Sequence, residues 1–184
     1  MQPINLYIFI HDDLSSVPTH LLGRLYFKNF TEEITRLTGR EFTFHVLKNM
    51  PGITDLKYEG RDSKWAIDRW KIAAFEYKNK HNLAWDKTNR YILVTEKPIN
   101  DQVLGISYEG QPPLIASVKH YQVIAHEIGH SFAATHEDAE LSTNEMGYRC
   151  ETYLYPEVNL LQANCYRYSL KNRARIKAFL SDAP

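Results

Sequence analysis

Neither sign of charge is in excess in this chain: Lys+Arg 22 and Asp+Glu 22 give a formal net charge of +0 at pH 7. That balance excludes the basic footprint of a nucleic-acid binder and the cationic face drawn to an anionic membrane. No apolar run approaches the ~20 residues that a membrane span requires. No positively charged n-region leads the chain either. Met1-Gln2-Pro3 runs straight into a short strand-like segment, so no secretory signal is visible. Cysteine is scarce, with Cys150 and Cys165 only, 15 positions apart. A bond between them would be worth about 3 kcal/mol on a loop-entropy estimate, and two free thiols are the alternative. There is no internal repeat and no low-complexity segment. What is present is 43% hydrophobic and 12% aromatic residues over 184 positions, enough for a real core in one domain, residues 1–184.

Against that plain background one string stands out: His126-Glu127-Ile128-Gly129-His130, continuing through Ser131-Phe132-Ala133-Ala134-Thr135 to His136. Two histidines four apart on a helix project from one face, one turn above the other. Both imidazoles then reach one metal ion, and Glu127 beside them can act on a water there as a general base. An amphipathic helix with surface histidines is the bland alternative. It leaves Glu127, His136 and the downstream Met146 unexplained. On a straight helix His136 would lie about 15 Å along the axis from His126. It can share the metal only if the chain breaks and turns back after His130. If His136 does not serve, the substitutes for a third ligand are Glu137, Asp138, Glu140 and Glu145.

The extended pattern His-Glu-x-x-His-x-x-Gly-x-x-His resembles the metzincin zinc peptidases. One departure is Ala133, where that family has Gly. Gly takes a left-handed conformation freely, whereas Ala133 would pay roughly 1–2 kcal/mol for it. The resemblance is specific over about 90–148. It implies one catalytic Zn2+ held by His126, His130 and His136, with Glu127 as the base. Thr143-Asn144-Glu145-Met146-Gly147-Tyr148 resembles the tight turn that carries a Met beneath the metal in that family, Asn and Gly being turn formers. Tyr148, two after the Met, is by the same resemblance a candidate oxyanion stabiliser. An ordinary packed Tyr, in a chain with 12 of them, is its alternative, and an ordinary core Met is the alternative for Met146. Gly129 would let the helix pack closely on a neighbour, or is a tolerated helix Gly.

Periodicity supplies the elements. Residues 4–10 (INLYIFI) are apolar and branched or aromatic, as in a buried strand. Leu22, Tyr26, Phe30, Ile34 and Leu37 mark an amphipathic helix ending at Gly39. Residues 41–47 form a second strand. A second helix runs from near Ser63 to near His81-Asn82. Strands at 90–95, 103–108 and 114–118 precede the metal helix at about 119–132. A polar, Tyr-rich stretch leads to a last helix at about 168–180. The expected fold is therefore α+β with an α/β-like N-terminal part. By the resemblance it is a metzincin-like zincin of the adamalysin or reprolysin layout. That fold has a twisted mixed five-stranded sheet, two packing helices, the metal-binding helix, a Met-turn and a C-terminal helix. The subdomains would be about 1–136 and about 137–184. By the resemblance, strand 104–108 would be the edge that takes an extended substrate by strand addition.

The function expected is a zinc-dependent endopeptidase acting on protein or peptide substrates. An inactive peptidase-like protein-binding module and a zinc hydrolase of a non-peptide amide are the alternatives. A protein inhibitor or immunity protein is a further partner class, nucleic acid is not expected, and the chain is expected to be a monomer. The family's disulfide-dense tail is missing and neither Cys precedes the metal helix, so latency through an upstream Cys is not encoded. The expectation is a secreted or exported domain, of the kind found in bacterial toxins. His11, His20, His45 and His81 are expected to be surface or second-layer residues. His120, six before His126, should point to another face of the helix.

Overall fold

A computed structural model describes residues 1–14, 18–60, 62–144, 146–156 and 163–181. Strand β1 (Ile4–Ile10) pairs in parallel with β2 (Phe42–Leu47) on one side and β3 (Asn89–Thr95) on the other. Beyond β3 come β5 (Pro113–Ser117), also parallel, and then β4 (Gly105–Ser107), which runs antiparallel to β5. The order β2-β1-β3-β5-β4 leaves β2 and β4 as the edges of a mixed five-stranded sheet. Strands β3 and β5 are buried at every position, as strands covered on both faces are.

Helices cover both faces. Short α1 (Thr19–Leu22) passes through a π-helical turn, Gly23–Phe27, into α2 (Lys28–Thr38). The single helix expected over 22–37 is thus interrupted. Its end at Gly39 is as expected, since Gly39 takes φ 71° and returns its N–H to the Thr35 carbonyl. Phe30 and Ile34 of α2 pack on Ile4, Leu6, Ile8 and Ile10 together with α4 (Val123–Ser131) and α5 (Leu170–Leu180). Helix α3 (Ser63–Lys80), capped by Asp62 accepting from the Trp65 N–H, covers the opposite face. There Trp70, Ala74 and Tyr77 meet Tyr7, Phe9 and Leu93. The parity of β1 sorts its side chains between these two cores.

Two expected bounds shift near the site. The metal helix begins at Val123, after a turn over 118–122, rather than at 119. Strand β4 spans three residues rather than six. A second sheet, for which no strand was expected, is made of β6 (Leu141–Thr143), β7 (Arg149–Glu151) and β8 (Ala163–Asn164), with β7 in the middle. Cys150 and Cys165 are disulfide-bonded, tying β7 to the residue after β8. No helix among the described residues is long and apolar enough to cross a membrane.

Candidate metal centre

Helix α4 presents His126 and His130 from one face, as four-residue spacing requires. The chain then breaks. Ala133 takes φ 66°, the left-handed conformation, and its N–H returns to the His130 carbonyl. The residue standing where Gly was expected makes the turn all the same. His136 is carried back by it. The three Nε2 atoms lie 2.9 Å (His126–His136), 2.9 Å (His130–His136) and 3.2 Å (His126–His130) apart.

Three ring nitrogens so close, without an ion among them, would set lone pair against lone pair. Tetrahedral zinc with Zn–N of about 2.0–2.1 Å places its nitrogens roughly 3.3 Å apart, close to this spacing. The tautomers suit it too. The His126 Nδ1 lies 2.7 Å from the Tyr153 carbonyl and the His130 Nδ1 lies 2.8 Å from the Ala134 carbonyl. Carbonyls only accept, so each Nδ1 carries the proton and each Nε2 offers a lone pair. Burial pushes the His126 imidazole down to about 3, and the neighbouring His130 and His136 act in the same direction. His130 is likewise held below its ordinary value, chiefly by burial. Neutral rings are the metal-binding form.

Among the described residues, these three form the one group of His, Cys, Asp and Glu side chains close enough to hold an ion together. Glu137, Asp138 and Glu140 take no part, and Asp138 pairs instead with Arg175 at 2.5 Å. Glu145 lies outside the described residues. His11, His20, His45, His81 and His120 are not part of that group, and His120 lies in the turn before α4 rather than on another face of the helix.

Glu127, 6% exposed, shares the cleft with the histidines. Burial raises its carboxyl to about 8, against a hydrogen bond from Ser107 that lowers it. A cation at the histidines would pull that value back by direct attraction and favour the carboxylate. The cleft, about 480 Å³, is bounded by β4 and the residues before it, by Gln122 and Val123, and by Tyr155 and Pro156.

No family model matches the chain, and no curated protein matches it.

The turn expected beneath the metal is elsewhere. Asn144, Met146, Gly147 and Tyr148 do make a tight turn: the Asn144 side chain accepts from the N–H of Met146 and of Tyr148, and Gly147 has φ 83°. It is the tip of the β6–β7 hairpin. Met146 is 81% and Tyr148 67% exposed, and neither lines the cleft. The turn under the histidines is 152–155, closed by the Tyr155 N–H on the Thr152 carbonyl. Its Tyr153 carbonyl receives His126, its fully buried Leu154 packs below the helix, and its Tyr155 lines the cleft. Gly129 is what admits Leu154 that closely. A Cβ there would stand 2.6 Å from a Leu154 methyl and 2.7 Å from the Tyr168 ring.

Sequence reasoning missed three contributors. Ser107 bonds Glu127; its place on the expected strand 103–108 was the available signal. The 152–155 turn lacks Gly and Asn and so carried none. Fully buried Arg90 grips the end of the metal helix, donating to the Ser131 carbonyl at 2.6 Å and hydroxyl at 2.9 Å. No periodicity separates such an Arg from the exposed ones.

Proposed function

We propose that the chain is a metzincin-like zinc endopeptidase. The observation that carries this reading is the convergence of three His Nε2 atoms within 3.2 Å of one another, two of them on rings whose tautomer a carbonyl fixes, in a cleft that also holds Glu127. The left-handed turn at Ala133 supports it, since it brings the third histidine back as the extended motif demands. Zinc at these nitrogens supplies Lewis acidity, making a water more acidic and a carbonyl more electrophilic.

The chain's own residues do the rest. Glu127 takes the proton of the attacking water and returns it to the leaving amine as the C–N bond breaks. The Tyr153 and Ala134 carbonyls keep the rings of His126 and His130 oriented. Strand β4, a sheet edge among the described residues, offers main-chain groups to an extended peptide. The substrate is therefore a polypeptide rather than a compact small molecule. An oxyanion role for Tyr148 is not retained, because that side chain lies outside the cleft.

Zinc content and peptide-library cleavage measured on the same samples test this. Glu127→Ala should keep one zinc per chain and lose hydrolysis by at least about 100-fold, the scale of a lost general base. Hydrolysis at the wild-type rate would remove Glu127 from its role. A zinc-loaded wild type that cleaves nothing would favour a binding module instead.

A further inference from the structure

Glu127 is held from outside its own helix. Ser107 Oγ on β4 lies 2.8 Å from Glu127 Oε2 and 3.0 Å from the Glu127 carbonyl oxygen. A serine hydroxyl has one proton and donates to one acceptor at a time. An ionised carboxylate accepts about twice as strongly as a neutral carbonyl. The proton therefore goes to Oε2 whenever Glu127 is a carboxylate. Among the described residues, Ser107 is the one side chain bonded to that carboxyl.

The same strand touches Glu127 a second time. A Cβ on Gly105 would stand 2.8 Å from Glu127 Cγ, and 2.9 Å from both the Ile115 carbonyl oxygen and a Val123 methyl. One of these neighbours is backbone and cannot swing aside. Alternation puts positions 105 and 107 on one face of β4 and Ile106 on the other, where it packs against the α3-side core. Strand β4 thus offers the Glu127 side chain a gap at one position and a donor two residues on. Both contacts come from a three-residue strand that is a sheet edge among the described residues.

We propose that Ser107 is a positioning residue for Glu127. Its hydroxyl selects one rotamer of a flexible side chain and holds the carboxylate in the cleft wall beside the histidines. Because β4 is also the edge to which an extended peptide would add, substrate pairing and base alignment act through one strand. A peptide seated on β4 stiffens the element that holds the base. This inference rests on the peptidase reading above. It assigns Ser107 no contact with the metal.

The test compares Ser107→Ala and Ser107→Thr in the full zinc-loaded chain, with Glu127→Ala alongside. Loss of the hydroxyl should lower kcat roughly 10- to 100-fold, the range for partners that orient a site, with KM changed less than about threefold. Thr keeps the hydroxyl and should restore kcat to within about threefold of wild type. Zinc affinity should be the same in all three. A second readout needs no turnover. Acetohydroxamate, a metal chelator that presents a hydroxyl to a neighbouring carboxylate, should bind the Ala variant about tenfold more weakly by calorimetry and the Thr variant as it binds wild type. An Ala variant equal to wild type in kcat and in hydroxamate affinity overturns the proposal. So does equal loss in both variants accompanied by loss of zinc, which would mark a merely structural serine. If wild type itself cleaves nothing, the peptidase reading fails, and the hydroxamate comparison still decides the role of Ser107.

Discussion

Ala133 carries a cost that the site requires. Its φ of 66° is imposed by the need to return His136 to the other two histidines. Replacing it with Gly removes roughly 1–2 kcal/mol of left-handed strain and adds about 0.4–1 kcal/mol of unfolded-state entropy. Ala133→Gly should therefore stabilise the metal-free protein by about 1 kcal/mol, read as a higher urea midpoint at unchanged slope; a lower midpoint would contradict it. A second residue-scale device lies away from the site. His11 Nδ1 is 2.8 Å from Asp13 Oδ1, and Tyr58 donates to the same carboxylate. Burial alone would raise Asp13, yet the bonds from His11, Tyr58 and the Glu96 N–H hold it at about 2. Burial alone would lower His11, yet the bond and charge of Asp13 raise it above its ordinary value. A depressed carboxylate contributes stability that is present above its unfolded pKa of about 4 and is lost as pH falls towards 2. A raised imidazole contributes stability that is full below about 6.5 and is lost as pH rises through its folded value. The pair should thus stabilise most between about pH 4 and 6.5. The difference in urea midpoint between wild type and His11→Gln should peak in that window and shrink on either side. A flat difference from pH 3 to 9 would exclude the coupling.

At the scale of elements, distant segments hold α4 at its C-terminal end and along its flank. Arg90 on β3 donates to the Ser131 carbonyl and hydroxyl and to the Asp86 and Asn89 carbonyls, and its guanidinium lies 4.3 Å from the Phe132 ring centroid. Arg90→Met leaves those acceptors without partners in a fully buried place. It should cost about 3 kcal/mol in metal-free stability and weaken zinc binding, because the turn to His136 starts at that end. A variant within about 0.5 kcal/mol of wild type would show that the grip is dispensable. The elements also show where the chain was legible. Periodicity found β1, β3, β5 and α3 because each buries a face along most of its length. It could not find β6, β7 and β8. Each is two or three residues long, and their pairing depends on which segments the fold brings together. The turn chemistry of Asn144 and Gly147 was readable, but its place was not. The hairpin projects Met146 into solvent, while Leu154, with no turn former beside it, packs against Gly129 of the helix that carries His126 and His130.

Over the whole molecule, the mixed sheet places the cleft at one edge, between β4 and α4, with α3 covering the other face. The sequence disclosed the three histidines and Glu127 because their chemistry needs a local spacing on one helix and one turn. Ser107, Arg90 and Tyr153 lie 20, 41 and 27 positions from their partners in the site. Such separations leave no pattern in a single chain. The proposed function depends on His126, His130 and His136 together holding one zinc ion. X-ray absorption at the zinc edge, with zinc titrations of wild type and His136→Ala, tests it most directly. The expected result is one zinc per chain, three nitrogen ligands at about 2.0–2.1 Å, and an affinity at least about 100-fold weaker in the variant. A sulfur ligand, or unchanged affinity and stoichiometry in His136→Ala, would contradict it.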